Sequence, residues 1–259
     1  MSKQRINILG VPVDIVQPEN LESEILELLE KDGVKQIVFL SIWDLIRARH
    51  KGDFQNCIKN ADLIIPVSKS IIRGAAFLKK EIPVRYNPFN AVISVMSVLD
   101  SHFKSIYLLG SRSQTLHIAE QNVHDTFPTL RIVGRYHGYY HKNIESVIVQ
   151  SIYKSSPSLV LMSDGIKEKN LWVYRHKDEF NSSIFLYYKD AMGIFSKRVK
   201  RIDEKTFERG HEIYHEVIRN PLKLFLLLPF IWYNLLLVGT RLFKKEKPVI
   251  TEGEALSIS

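Results

Sequence analysis

Tyr107-Leu108-Leu109-Gly110-Ser111-Arg112-Ser113 is an apolar run that stops at a glycine and passes into a helical pattern. A glycine at that point lets the backbone approach a phosphate closely, and the unpaired N–H groups of the following helix point at the anion. Gly110, Ser111 and Arg112 are the residues that could do this, and His137-Gly138 forms a second turn where His137 either meets the same ligand or only closes a loop. Lys197, Arg198, Lys200 and Arg201 put four cations into five residues, a local field suited to a diphosphate or a lipid phosphate. Lys69, Arg73 and Arg85 are weaker candidates for the same duty, because isolated surface cations are usually just solvated. A group transfer at such a site also needs a carboxylate to take a proton. Asp190, after a strand-like run, is the catalytic candidate; a helix N-cap or a surface acid are the alternatives. Asp164 and Glu168 are weaker still, and Asp62 reads as structural. His137 and His141 lack a third partner, so no metal site is read and no cofactor is expected.

The elements that must position these residues alternate in kind. Ile37 to Leu40, Leu63 to Ile65, Ser105 to Leu109, Arg131 to Val133, Ser158 to Met162 and Ser183 to Tyr187 read as strands. Leu21 to Glu30 and Thr115 to Thr126 carry apolar residues at helical spacing. Strand and helix in alternation predict a Rossmann-like α/β domain with a mostly parallel sheet flanked by helices. Ile6 to Val16, interrupted by Gly10 and Pro12, reads as an opening strand or hairpin. The alternation stops between Arg201 and Gly210, which divides the chain into an α/β domain (1–200), a basic and apolar appendage (201–248) and a tail (249–259).

The chain has 259 residues, 45% of them apolar, which is enough for one sizeable core and excludes a disordered or collagen-like protein. Its only cysteine, Cys57, allows no internal disulfide, and the first residues show no secretory signal, so the cytoplasm is the expected compartment. The net charge of +8 favours anionic partners, and residues 197–247 supply +6 of it. That basic stretch contains the most apolar run of the chain, the uncharged residues 224–240, with Pro229 and Asn234 inside it and Trp232 and Tyr233 near its middle. Seventeen uncharged residues, flanked on both sides by Lys223, Arg241, Lys244, Lys245 and Lys247, are at the lower limit for a membrane span. The favoured reading is a monotopic segment on anionic lipid at the inner face of the cell membrane; a core or oligomer-contact helix and a true span stay open. Charge concentrated beside an apolar run suits lipid better than a nucleic acid.

Beyond Gly110 come Phe127-Pro128-Thr129-Leu130-Arg131-Ile132-Val133-Gly134 and then His137-Gly138-Tyr139-Tyr140. This order resembles the bacterial WecG/TagA/CpsF glycosyltransferase family, with its YPGL-like turn, IVG and HGYF. Ile6 to Asp14, Asn60-Ala61-Asp62-Leu63-Ile64-Ile65-Pro66 and Lys197-Arg198-Val199-Lys200-Arg201 are similar to further family segments, and Glu212 and Pro221 keep the spacing of its appendage. The resemblance implies transfer of an N-acetylmannosamine-like sugar from a UDP donor to a polyprenyl-diphosphate-linked glycan. It further implies inversion without a required metal, a role in cell-envelope or exopolysaccharide assembly, and a possible homo-oligomer.

The departures gather where that chemistry would lie. The family's Thr-x-Asn falls on Phe39 and Ser41, and its LPDG aspartate, the favoured base, falls on Val67. A second aspartate falls on Asn90, after Arg85. The GxPKQExW segment keeps only Gly165 and Trp172, the glycine pair near Tyr188 to Gly193 is absent, and an appendage arginine falls on Glu216. Two functions therefore stand side by side: a diverged transferase, or an inactive relative that binds a glycan or a partner at the membrane. A nucleotide-dependent oxidoreductase rests on the glycine turn alone, and no GxGxxG follows a first strand.

Overall fold

A computed structural model of the protein describes residues 3–210 and 227–243. The chain opens with the antiparallel hairpin β1 (Gln4–Ile8) and β2 (Val11–Ile15). Leu9 and Gly10 both take positive φ in its two-residue turn, the conformation whose twist matches that of a hairpin. Asp14 fastens the hairpin to the body: it accepts from Arg5 Nε at 2.6 Å and from the Ile64 backbone N–H at 2.7 Å.

The body is a six-stranded sheet of β3 (Lys35–Leu40), β4 (Leu63–Pro66), β5 (Ser105–Leu109), β6 (Arg131–Tyr136), β7 (Leu159–Met162) and β8 (Ile184–Tyr187). Its order is β4-β3-β8-β7-β5-β6, and every neighbouring pair is parallel. All six strands expected from the sequence are therefore present, and so are the hairpin and both helices. Parallel strands must be joined by crossovers, and these place helices on the two faces.

Side chains alternate between those faces with the period of two that a strand imposes. Ile106, Leu108, Leu159, Leu161, Ile184 and Leu186 look toward α1 (Leu21–Glu30), α5 (Pro88–Ser101), α6 (Ser113–Thr126) and α9 (Ala191–Phe195). Tyr107, Leu109, Val160, Met162 and Phe185 look the other way, toward α7 (Glu145–Ser155) and α8 (Asn170–His176). On that second face Val38, Leu40 and Ile64 pack with the hairpin, α2 (Ile42–Ala48), α3 (Asp53–Lys59) and α4 (Lys69–Phe77). Asp62 is structural, as expected, since its carboxylate accepts the Gln36 N–H at 2.8 Å.

One arrangement sets up the site. From β5 the chain moves outward to β6 and then returns to β7 on the other side of β5. The helix after β5 lies on one face and the helix after β7 on the other; in open α/β sheets ligands bind beyond the carboxyl ends of the strands at such a switch point.

Candidate nucleotide-diphosphate site

Four loops meet at that edge of the sheet and are stitched to one another through the backbone. The Ser111 N–H donates to the Asp164 carbonyl at 2.6 Å, and the Gly138 N–H donates to the Ser111 carbonyl at 2.7 Å. The Tyr139 N–H donates to the Gly165 carbonyl, and the Asp164 N–H to the Lys189 carbonyl. The loops after β5, β6, β7 and β8 thus form one continuous seam.

Glycine is required there by contact as well as by conformation. Gly110 has φ +119°, and a Cβ on it would lie 2.9 Å from the Asp164 carbonyl oxygen. At Gly138 a Cβ would meet that same oxygen at 2.7 Å. Ser111 beside them is buried and itself left-handed at φ 59°. Arg112 then stands at the N-cap of the 14-residue α6 with its side chain exposed, and no side chain caps the helix. The free first-turn N–H groups and the positive end of the helix dipole face the seam.

Arg198 arrives at the same place from 83 residues beyond Thr115 in the chain. Its Nη1 donates to Thr115 Oγ1, in the first turn of α6, at 3.0 Å. The backbone gets it there by folding back over α9: the Arg198 and Val199 N–H groups both donate to the Gly193 carbonyl, and a Cβ on Gly193 would press to 2.6 Å from the Val199 side chain. Asn122 of α6 also donates to the Phe195 carbonyl at the end of α9. The tertiary structure therefore unites Gly110, Ser111, Arg112 and Gly138 with Arg198. His137 is exposed beside them, stacked on Tyr136, with Nδ1 2.8 Å from the Gly138 carbonyl oxygen.

Carboxylates line the seam too. Asp190 is at the N-cap position of α9, although its side chain makes no capping bond. Asp164 accepts from Ser163 Oγ at 3.1 Å and from the Tyr139 hydroxyl at 2.8 Å. Burial, followed by the charges of Asp164 and Asp190, pushes the Tyr187 phenol well above its ordinary range, so Tyr187 lies among both acids and stays protonated. Among the described residues, no three His, Cys, Asp or Glu side chains gather as a metal ion would require.

The far end of the sheet is built differently. Val67, one residue past β4, is half-buried against the core. Its carbonyl accepts from Arg85 Nε at 2.9 Å, and Arg85 Nη1 donates to the Phe207 carbonyl at 2.6 Å while its guanidinium lies 3.7 Å from the Phe207 ring. Phe207 belongs to α10 (Glu204–Arg209), and Lys69 donates to the carbonyls of Glu208 and Arg209 that follow. Burial pushes the Arg85 pKa down to about 10. Lys69 and Arg85 are therefore spent on the C-terminal carbonyls of a helix, where cations also complement the dipole. Asn90 donates to Glu204 at 2.8 Å and accepts from Arg201, so that position too holds in place the strap, residues 196–203, that joins α9 to α10. Ser41 closes a capping box with Asp44 at the start of α2. Lys197 and Lys200 are exposed along the strap between the two ends.

The last described helix, Leu227–Phe243, docks on the second face. Tyr233 and Leu237 are buried, the Tyr233 hydroxyl donates to the Ser70 carbonyl at 3.0 Å, and the ring fills the notch above Gly74. Arg241 lies over the Phe77 ring. Leu228, Ile231, Trp232, Leu235, Val238 and Leu242 form an exposed apolar stripe on the opposite side. Among the described residues, no helix is long and apolar enough to cross a membrane. Glu212, Glu216, Pro221, Lys223, Lys244, Lys245 and Lys247, read above as parts of the appendage and its flanks, lie outside the described residues.

Tyr139 and Thr115 carry contacts at the seam that no spacing along the chain reveals, because their partners come from the loops after other strands. A parallel sheet with a strand-order reversal, over which a glycine seam, a helix N-terminus and an arginine converge, defines an α/β protein with a candidate site at the carboxyl edge of its sheet. The description "Glycosyl transferase WecG/TagA/CpsF family" matches residues 6–247, and the chain belongs to that family. Similar curated proteins are each named N-acetylglucosaminyldiphosphoundecaprenol N-acetyl-beta-D-mannosaminyltransferase. The one from Bacillus subtilis is 17% identical over 169 residues, and that from Bacillus spizizenii 21% over 169, in both cases 65% of this chain and 65% of the relative. The one from Staphylococcus aureus is 19% identical over 144 residues, 56% of each chain. The matched region thus spans a little under two thirds of these relatives' own length.

Proposed function

We propose that this protein is a membrane-associated glycosyltransferase. It binds a UDP-sugar at the glycine seam and passes an N-acetylmannosamine-like sugar to a polyprenyl-diphosphate-linked glycan in cell-envelope or exopolysaccharide biosynthesis. The observation that carries this reading is the convergence of Arg198 on the first turn of α6, beside Gly110 and Gly138. In the reaction the acceptor hydroxyl oxygen bonds to the anomeric carbon as the bond from that carbon to the diphosphate oxygen breaks. The hydroxyl proton goes to a carboxylate, for which Asp190 is the candidate, and the electron pair leaves with UDP. Arg112, Arg198 and the α6 N–H groups answer the charge that develops on the diphosphate. This reading assigns that duty to arginines, so transfer persists in the presence of EDTA.

The exposed stripe of Leu227–Phe243 supports contact with the interfacial region of a bilayer, with Lys200 and Arg241 on anionic lipid at its inner face. Such a placement brings the protein to an acceptor that is itself lipid-linked.

A second reading is favoured by Val67, an apolar side chain packed against the core at the position of the family's aspartate. In it the protein keeps the binding seam and has lost the reaction, acting as a glycan-binding or partner-binding scaffold. Thermal unfolding with UDP, UDP-N-acetylmannosamine, UDP-N-acetylglucosamine and NAD, followed by transfer to a polyprenyl-diphosphate-linked N-acetylglucosamine, separates the two. Stabilisation by UDP and one UDP-sugar, with product formed, is expected for the transferase. Stabilisation without product assigns the scaffold, and no response to any nucleotide removes the transferase and leaves the scaffold that binds a glycan or a partner.

A further inference from the structure

The helix Leu227–Phe243 has two faces, and the chain uses one of them. Tyr233 and Leu237 lock it to the body, with the Tyr233 hydroxyl donating to the Ser70 carbonyl and Arg241 turned onto the Phe77 ring. The other face leaves Leu228, Ile231, Trp232, Leu235, Val238 and Leu242 between 44% and 70% exposed, with no charge among them. Contact with a bilayer asks only that such a face be apolar. This one is also ordered. Leu228, Ile231, Leu235, Val238 and Leu242 follow one another at steps of three and four, the seven-residue repeat of a helix that packs along another helix. Gly239 lies beside this stripe, and a Cβ on it would meet nothing within 4 Å. An interior glycine weakens a helix, and this one relieves no contact within the chain.

We propose that the stripe is closed by the same helix of a second copy of the chain, running antiparallel about a two-fold axis at Leu235. The order of side chains is self-complementary under that operation. Leu228 falls opposite Leu242 of the other copy, Trp232 opposite Val238, Ile231 opposite Gly239 and Leu235 opposite itself, each contact made twice as a two-fold interface requires. Large side chains thus meet small ones. A parallel pair would set Trp232 on Trp232 and Gly239 on Gly239, crowding one level and leaving a gap at another. The antiparallel arrangement also opposes the two helix dipoles. The six exposed side chains present roughly 700 Å² per copy, so a pair buries about 1,400 Å², inside the ~1,200–2,000 Å² of stable protein pairs. Tyr233 and Leu237 already fix the helix, so little freedom is lost on pairing. One stripe cannot meet lipid and a second copy together, so the pair forms where no bilayer covers it.

The test is the mass of the full chain by sedimentation equilibrium after detergent is removed, with cross-linking to fix the register. The parent protein is expected at twice 30.1 kDa. Leu235→Lys sets two like charges on the axis and is expected to weaken pairing at least about a hundred-fold, the scale for an uncompensated charge in a buried contact, with far-ultraviolet circular dichroism as in the parent. Cys57 is buried, which pushes its thiol up to about 12 and keeps it out of the oxidation. Leu235→Cys is expected to give a disulfide-linked pair. Leu228→Cys alone gives none, because its counterpart lies about 20 Å away along the helix, and adding Leu242→Cys to the same chain restores the link. A parent of 30.1 kDa overturns the proposal, and capture of that monomer by phosphatidylglycerol vesicles then leaves the stripe to the bilayer alone. Linking through Leu228→Cys alone overturns it as well, since the pair would be parallel. A Leu235→Lys chain that pairs as the parent does puts the contact on another face and overturns it too.

Discussion

The two ends of the sheet's carboxyl edge use the same residue types for opposite purposes. At the β5–β7 end, glycines bring backbones within contact, the α6 N–H groups stay uncapped and Arg198 turns toward them. At the β4 end, cations and amides are consumed internally: Arg85 and Lys69 hold the carbonyls of α10, and Asn90 ties down Arg201 and Glu204. Val67 completes that end with a methyl-bearing side chain where a transferase would want a base. The β5–β7 end leaves a helix start uncapped, and the β4 end turns its polar groups inward onto the protein's own carbonyls. An arginine is thus no evidence for a phosphate until its partners are known.

The sharpest way to break the β5–β7 end is Gly110→Val. It forces a branched side chain into a φ of +119° and into the Asp164 carbonyl, and it should cost about 3–5 kcal/mol in denaturant unfolding as strain and overpacking add. Nucleotide binding should go with it. Next comes Val67→Asp, which tests whether the β4 end lacks only its base. Transfer should rise by roughly 10²-fold, the lower range of general-base catalysis. A variant that folds and binds donor yet transfers no faster assigns the protein to the scaffold reading. Arg198→Ala is smaller: losing one charge-assisted contact of about 1.5–3 kcal/mol should weaken UDP and pyrophosphate alike, seen by calorimetry.

The smallest effect compares the two ends within one titration. Burial pushes Tyr86, beside the β4 end, and Tyr140, beside the seam, up to about 12. The unfolded phenols ionise near their ordinary value of about 10, while the folded protein keeps them neutral. Their contribution is therefore fully present below about pH 10 and is lost as pH rises toward about 12. Stability measured across that window should fall, and Tyr86→Phe and Tyr140→Phe should each flatten the slope. A ligand at the seam should oppose the loss in Tyr86→Phe more than in Tyr140→Phe, because only Tyr140 adjoins the seam.

Much of this was legible along the chain. Strands at residues 37–40, 63–65, 105–109, 131–133, 158–162 and 183–187 announce themselves by short apolar runs, and Leu21–Glu30 by its apolar stripe, because period and run length are local properties. The glycine turn at Gly110 was readable for the same reason: a strand, a glycine and a helix follow one another in sequence. The apolar run near residue 230 was visible, but its division was not. Adjacent residues on a helix lie about 100° apart, so Trp232 faces outward while Tyr233 enters the core.

Residue types and their order thus determined the fold class, the family and the seam's glycines. Tertiary structure alone decided which cations are held by the carbonyls of a helix end and which reaches a helix start. Arg85, Lys69 and Arg198 look alike as letters, and their difference lies in carbonyls and hydroxyls contributed by segments from about 80 to 140 positions away, brought near by the strand order. The same holds for Tyr139, whose anchoring carboxylate, Asp164, comes from the loop after a different strand. Hydrogen bonds act over about 3 Å, and no spacing along a chain reports which distant atoms will come that close.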